Sequence, residues 1–86
     1  MFYTYVLQSN KSGKLYTGAT KDLQKRFKQH CSNEVTVTKH RGPFTLIYYE
    51  ACINQKDAYH REKYLKSGMG KRYIKNRLKR FLSLTG

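Results

Sequence analysis

A chain of 86 residues with 18 lysines and arginines against five acids, a net charge of +13, has room for one domain and not two. A domain this small buries only about 60–65% of the surface its unfolded chain exposes, so its core has to be compact. The charge repels itself and suits a polyanionic partner, with nucleic acid as the first candidate because neutralised phosphates release condensed counterions; it names a partner class and not a reaction.

Phe2 to Gln8 is rich in aromatic and β-branched residues and reads as a strand, with Tyr3, Tyr5 and Leu7 alternating onto one face. Asn10-Lys11-Ser12-Gly13 is a turn cluster, and Lys14 to Gly18 completes a hairpin. Thr20 is placed to cap a helix that begins at Lys21-Asp22, with Leu23, Phe27 and Cys31 as its apolar stripe. Residues 32–43 are polar, end on the only proline, Pro43, and read as a loop. Phe44 to Ala51 is nearly continuous in apolar and aromatic residues, the pattern of a central strand covered on both faces. Asn54 or Gln55 opens a second helix to about Lys66, which puts Ala58, Glu62 and Leu65 on one face. Ser67-Gly68-Met69-Gly70 reads as a break. A last helix spans Lys71 to Leu82, with Ile74, Leu78, Phe81 and Leu82 as its stripe. The order β-β-α-β-α-α predicts a single α+β domain over residues 1–86, a three-stranded mixed or antiparallel sheet flanked by helices. Whether the third strand lies beside the first or the second is open at this point.

Cys31 and Cys52 stand alone, with no C-x-x-C, which fits a reducing compartment better than a disulfide framework. No stretch approaches the roughly 20 apolar residues of a membrane span, and the N-terminus lacks the pattern of a secretion signal. The expectation is a cytoplasmic protein with no membrane partner.

The acids limit the chemistry. Two-metal nucleases need clustered carboxylates to hold two ions about 3.5–4 Å apart. This chain offers Asp22, Glu34, Glu50, Asp57 and Glu62, no two of them close in sequence. A site with one protein carboxylate fits better, because Mg²⁺ is often held by one or two carboxylates plus water and substrate phosphate. Glu62 is the candidate, since it sits on an otherwise apolar helix face where an unpaired carboxylate is out of place. A structural ion pair with Lys66, Arg61 or Arg26 explains it equally well. Arg26 and His30 are one helical turn apart. Together they could clamp a phosphate and transfer a proton, although a solvated basic face is the ordinary explanation. Tyr5 and Tyr16 approach each other across the hairpin, either as cross-strand packing or as hydroxyls aimed at a water in a cleft.

These elements, taken in order, resemble the GIY-YIG nuclease superfamily, in particular its small stand-alone bacterial members, and are similar to the N-terminal nuclease domain of excinuclease C. The "GIY" element corresponds to Tyr3-Thr4-Tyr5 and the "YIG" element to Tyr16-Thr17-Gly18. The helix with Arg26 and His30, the segments Thr38 to Phe44 and Leu46 to Ala51, and Arg61 to Gly68 extend the likeness over nearly the whole chain. The first two residues of GIY are replaced by Tyr3 and Thr4, and the middle of YIG by Thr17.

The resemblance implies an endonuclease hydrolysing phosphodiester bonds, in repair or recombination, with a single Mg²⁺ or Mn²⁺ ion. It implies Tyr16 as the water-orienting tyrosine or general base, Tyr5 as its companion, Arg26 on the scissile phosphate, His30 lining the site, Gly18 keeping the backbone small, and Glu62 as the metal ligand. Lys39, His40, Arg41, Lys66, Lys71 and Arg72 are the expected nucleic-acid contacts, with Lys75, Arg77, Lys79 and Arg80 tracking the backbone. DNA is favoured over RNA, and a protein partner or dimer is compatible with the chain. The alternative is a binding module of the same fold that does not cut.

Overall fold

The structure, a computed structural model, describes residues 1–85; Gly86, the last residue of the expected domain, lies outside them. Strands β1 (Phe2–Ser9) and β2 (Leu15–Thr20), helix α1 (Leu23–Cys31), strand β3 (Phe44–Cys52) and helices α2 (Gln55–Lys66), α3 (Gly68–Arg77) and α4 (Lys79–Thr85) follow in order. The sheet is antiparallel throughout, in the order β2-β1-β3. The third strand therefore lies beside the first. It is an edge strand, and not the central strand that its apolar run predicts. The centre belongs to β1, whose residues Thr4 to Leu7 are buried on both faces. The tyrosines of β3 account for the difference: each covers the sheet with its ring and leaves its hydroxyl wet, so Tyr49 is more than half exposed in a strand that reads as interior.

Side-chain alternation splits β1 between two cores. Tyr5 and Leu7 face α1 and form one cluster with Phe44, against which Tyr16, Leu23, Phe27 and Leu46 pack. Val6 faces the other way, into a cluster with Leu65 and Ile74 that Leu15, Ile47, Tyr48 and Leu78 complete. A register shift between Val6 and Leu7 helps, since Val6 pairs with Tyr48 while Leu7 pairs with Leu46. The extra residue, Ile47, lets β3 send two consecutive side chains into the second cluster.

Helix α1 starts two residues beyond the expected position. Asp22, not Thr20, is the N-cap, accepting from the Lys25 amide at 3.1 Å, and Thr20 Oγ1 instead accepts from the Asp22 amide. Leu23 and Phe27 turn inward, whereas Cys31 is exposed and drops out of the stripe. Asn54 caps α2 through the amides of Lys56 and Asp57. Thr4 Oγ1 donates to the Ala58 carbonyl at 3.0 Å and fastens that helix to β1.

The expected break after Lys66 is there, but it is the single residue Ser67, and Gly68 to Gly70 already belong to α3. Ser67 ends α2 and caps α3, its hydroxyl accepting from the Gly70 amide. Gly70 is buried where a Cβ would run into the Tyr64 carbonyl and the Leu65 Cα. Glycine here is what lets two helices touch backbone to backbone. The single helix expected over Lys71 to Leu82 is in fact two, parted at Leu78. Ile74 is buried, Leu78 half-buried and Phe81 exposed, so the expected stripe fades along its length.

Candidate active site

The register of the hairpin sets Tyr5 opposite Gly18 and Leu7 opposite Tyr16. Directly opposed residues share a face, so both tyrosines lie on the α1 side, one pair apart. The Tyr5 ring crosses over Gly18, where any Cβ would overlap its hydroxyl. Tyr16 stands edge-on to Phe44, with ring centroids 5.6 Å apart. Helix α1 contributes Arg26 and His30 from successive turns. Glu62 comes from α2, between the two buried residues that hold that helix down, Ala58 and Leu65.

These parts meet. Tyr5, Tyr16, Gly18, Arg26, His30 and Glu62 all line one cavity of about 370 Å³, together with Lys66 and Lys71. Its walls come from both faces of the sheet, so it runs past the open edge of β2. Glu62 is the one carboxylate among the lining residues. Lys39, His40, Arg41 and Arg72 are not on its wall. Lys39, His40 and Arg72 point into solvent, and Arg41 donates from Nε to the Val37 carbonyl at 3.2 Å.

His30 is the most constrained group in the cavity. It is buried, with Nε2 2.8 Å from the Tyr5 hydroxyl and Nδ1 2.7 Å from the Thr38 hydroxyl. Burial and the neighbouring Arg26 guanidinium push its pKa down to about 4, so the ring is neutral near pH 7. Burial pushes the Tyr5 phenol up, with Arg26 partly offsetting it. Arg26 reaches Gln29 Oε1 from Nη1 at 3.4 Å and otherwise faces the cavity.

Glu62 has the ion pair that its helix spacing allows. Lys66 Nζ lies 2.7 Å from Oε2, while Arg61 turns to Glu50 and not to Glu62. The Glu62 side chain is only 22% exposed, and its pair with Lys66 is made through Oε2. Among the described residues no three His, Cys, Asp or Glu side chains cluster as a metal cage. An ion in this cavity would therefore have Glu62, water and phosphate as its ligands, a donor set that suits the hard, hydrated Mg²⁺.

Thr38 has no signal in the sequence. It sits in a polar loop, yet it is buried against His30, and Val35 and Val37 reach the cavity beside it. The loop is tied to the sheet by Ser9, whose hydroxyl donates to the Arg41 carbonyl at 2.7 Å.

Fold and cavity together describe a small α+β domain with its polar groups gathered at one edge of the sheet. The chain belongs to the GIY-YIG family: the GIY-YIG catalytic domain matches residues 1–79. That family is generally one of nucleases. Among its relatives, a UPF0213 protein of Clostridium perfringens is 42% identical over 67 residues, which are 77% of this chain and 71% of the relative. A UPF0213 protein of Staphylococcus saprophyticus is 36% identical over 76% of this chain and 79% of its own. The solution NMR structure of a UPF0213 protein from Bacillus halodurans superposes with a TM-score of 0.53 at 35% identity, covering 86% of this chain and 82% of that one. No described helix is long and apolar enough to cross a membrane.

Proposed function

We propose that the protein is a metal-dependent endonuclease that hydrolyses phosphodiester bonds, with DNA as the favoured substrate. The observation that carries this reading is the convergence of Tyr5, Tyr16, Arg26, His30 and Glu62, drawn from four separate elements, on one cavity. Tyr16 orients the attacking water, with Tyr5 as its companion. Arg26 faces the negative charge that grows at phosphorus, where a fixed cation in a partly dry site is worth far more than in water. Glu62 would hold one Mg²⁺ or Mn²⁺ ion, which when bound supplies a Lewis acid for the phosphate and its leaving oxygen. Lys66 and Lys71, on the cavity wall, receive the flanking phosphates. Lys39, His40, Arg41 and Arg72 lie outside it and extend the contact along the backbone.

The Glu62–Lys66 ion pair favours a second reading, in which the domain binds nucleic acid without cutting it. One experiment separates the two. The protein and Glu62→Ala are incubated with plasmid and with branched DNA, in Mg²⁺ and in chelator. Nicking that needs both Mg²⁺ and Glu62 is the expected result. Tight, salt-dependent binding with no cleavage of any substrate would instead establish the binding module, and nicking that survives Glu62→Ala would remove Glu62 from the site.

A further inference from the structure

The imidazole of His30 is gripped at both nitrogens, and one grip belongs to a residue with no assigned role. Tyr5, His30 and Thr38 are 2%, 5% and 1% exposed. The Tyr5 hydroxyl stands 2.8 Å from Nε2, and the Thr38 hydroxyl 2.7 Å from Nδ1. A neutral imidazole donates at one nitrogen and accepts at the other. Either hydroxyl could play either part, so the pair of contacts alone does not choose the tautomer.

The next atom along does. Thr38 Oγ1 also faces the Val35 carbonyl, at 3.4 Å, and a carbonyl can only accept. A hydroxyl has one proton. With that proton turned to Val35, Thr38 is left to accept from Nδ1–H. The Nε2 lone pair then points at Tyr5, and the phenol donates to it. At the far end the charge of the Arg26 guanidinium acts on the Tyr5 phenol, as suits an oxygen that shows lone pairs to its surroundings. The order of donation runs from Tyr5 to His30, to Thr38, to the Val35 carbonyl.

We infer that Thr38 is a positioning residue, fixing His30 as its Nδ1–H tautomer and so turning the lone pairs of the Tyr5 oxygen, and not its proton, toward the cavity. An oxygen so turned can accept a hydrogen bond from a water and cannot donate one. The loop over residues 32–43 thereby becomes part of the site although none of its charged residues reaches the cavity. The consequence for cleavage rests on the proposed nuclease function; the tautomer does not.

Ring ¹⁵N shifts of His30 in labelled protein near pH 7 test the inference directly. The expected result is a protonated Nδ1 and a bare Nε2, lost to a mixture or to the other tautomer in Thr38→Val and restored in Thr38→Ser. A protonated Nε2 in the unaltered protein, or an unchanged tautomer in Thr38→Val, would overturn it. Should Thr38→Val fail to fold, the spectra of the unaltered protein and of Thr38→Ser still decide. Where the unaltered protein cuts DNA, Thr38→Val is expected to lower kcat by roughly 10–100-fold, as when partners that orient a functional imidazole are removed, with little change in KM. An unchanged kcat would also overturn the inference. If the unaltered protein cuts nothing, the nuclease reading fails and the ring shifts alone settle the tautomer.

Discussion

The two faces of β1 are built to different rules. Toward α2 and α3 the strand offers Val6, which packs with Leu65 and Ile74 in a cluster with no titratable group among its buried members. Toward α1 it offers Tyr5, which packs beside Leu7 and Phe44 but also holds a buried histidine by a hydrogen bond. One face needs volume and a single hydrogen bond, from Thr4 to the Ala58 carbonyl. The other has to satisfy donors and acceptors as well, and none of its buried polar side-chain atoms lacks a partner among the described residues. The two faces thus differ in what they have to satisfy, and substitutions on them should fail in different ways.

The largest effect is expected on the apolar face. Leu65→Ala removes a fully buried side chain and should lower stability by about 2–5 kcal/mol in denaturant titrations. Below the melting transition, nucleic-acid binding should persist. A variant that stays stable but no longer binds would break the separation. On the polar face, Gly18→Ala drives a methyl into the Tyr5 hydroxyl, at about 1–3 kcal/mol for overpacking. Here the loss of cleavage should exceed what the unfolded fraction explains, because Tyr5 has to leave His30. Arg26→Ala sharpens the contrast, lowering the cleavage rate by roughly 10²–10³-fold while the melting temperature holds.

The next prediction concerns acid. The pKa of His30 is lowered in the fold to about 4 from 6.5, so between these values the unfolded chain binds the extra proton. The stabilisation is complete above pH 6.5 and is lost as the pH falls toward 4. Thermal melts should decline across that window in the unaltered protein and stay flatter in His30→Gln, most clearly between about pH 6.5 and 5, above the carboxylate range. Equal slopes would mean that the buried ring does not govern acid stability. The smallest effect belongs to the outer surface. The Arg61–Glu50 pair, 2.7 Å apart with both side chains about one-third exposed, should contribute only about 0.2–1 kcal/mol, and Glu50→Gln should scarcely move the melt.

Much of this architecture is legible in the residues. The alternation of Tyr3, Tyr5 and Leu7, the inward Leu23 and Phe27, and the face shared by Ala58, Glu62 and Leu65 all follow from period alone. The candidate set of tyrosines, arginine and glutamate comes instead from the resemblance, each position answering to an ordered family motif. Strand order is not legible that way. An apolar run marks coverage, and the tyrosines of β3 mimic it while remaining half wet. The glycines after Ser67 mark the end of α2 correctly but hide a second use: Gly70 serves a helix–helix contact that no local pattern encodes. Thr38 is silent because its partner lies eight residues back in a buried ring, and the sequence around it is that of any polar loop.

The order in which the cavity is assembled carries one more consequence. Its tyrosines, arginine and histidine lie within the first 30 residues, while its one carboxylate waits on α2, fastened to β1 by the bond from Thr4 to Ala58. A chain emerging during synthesis therefore presents Arg26 well before its acid, and Lys66 and Lys71 only after it. Until residue 62 has emerged and docked, the nascent protein holds one of its three cavity cations and lacks the carboxylate on which the proposed metal chemistry would depend.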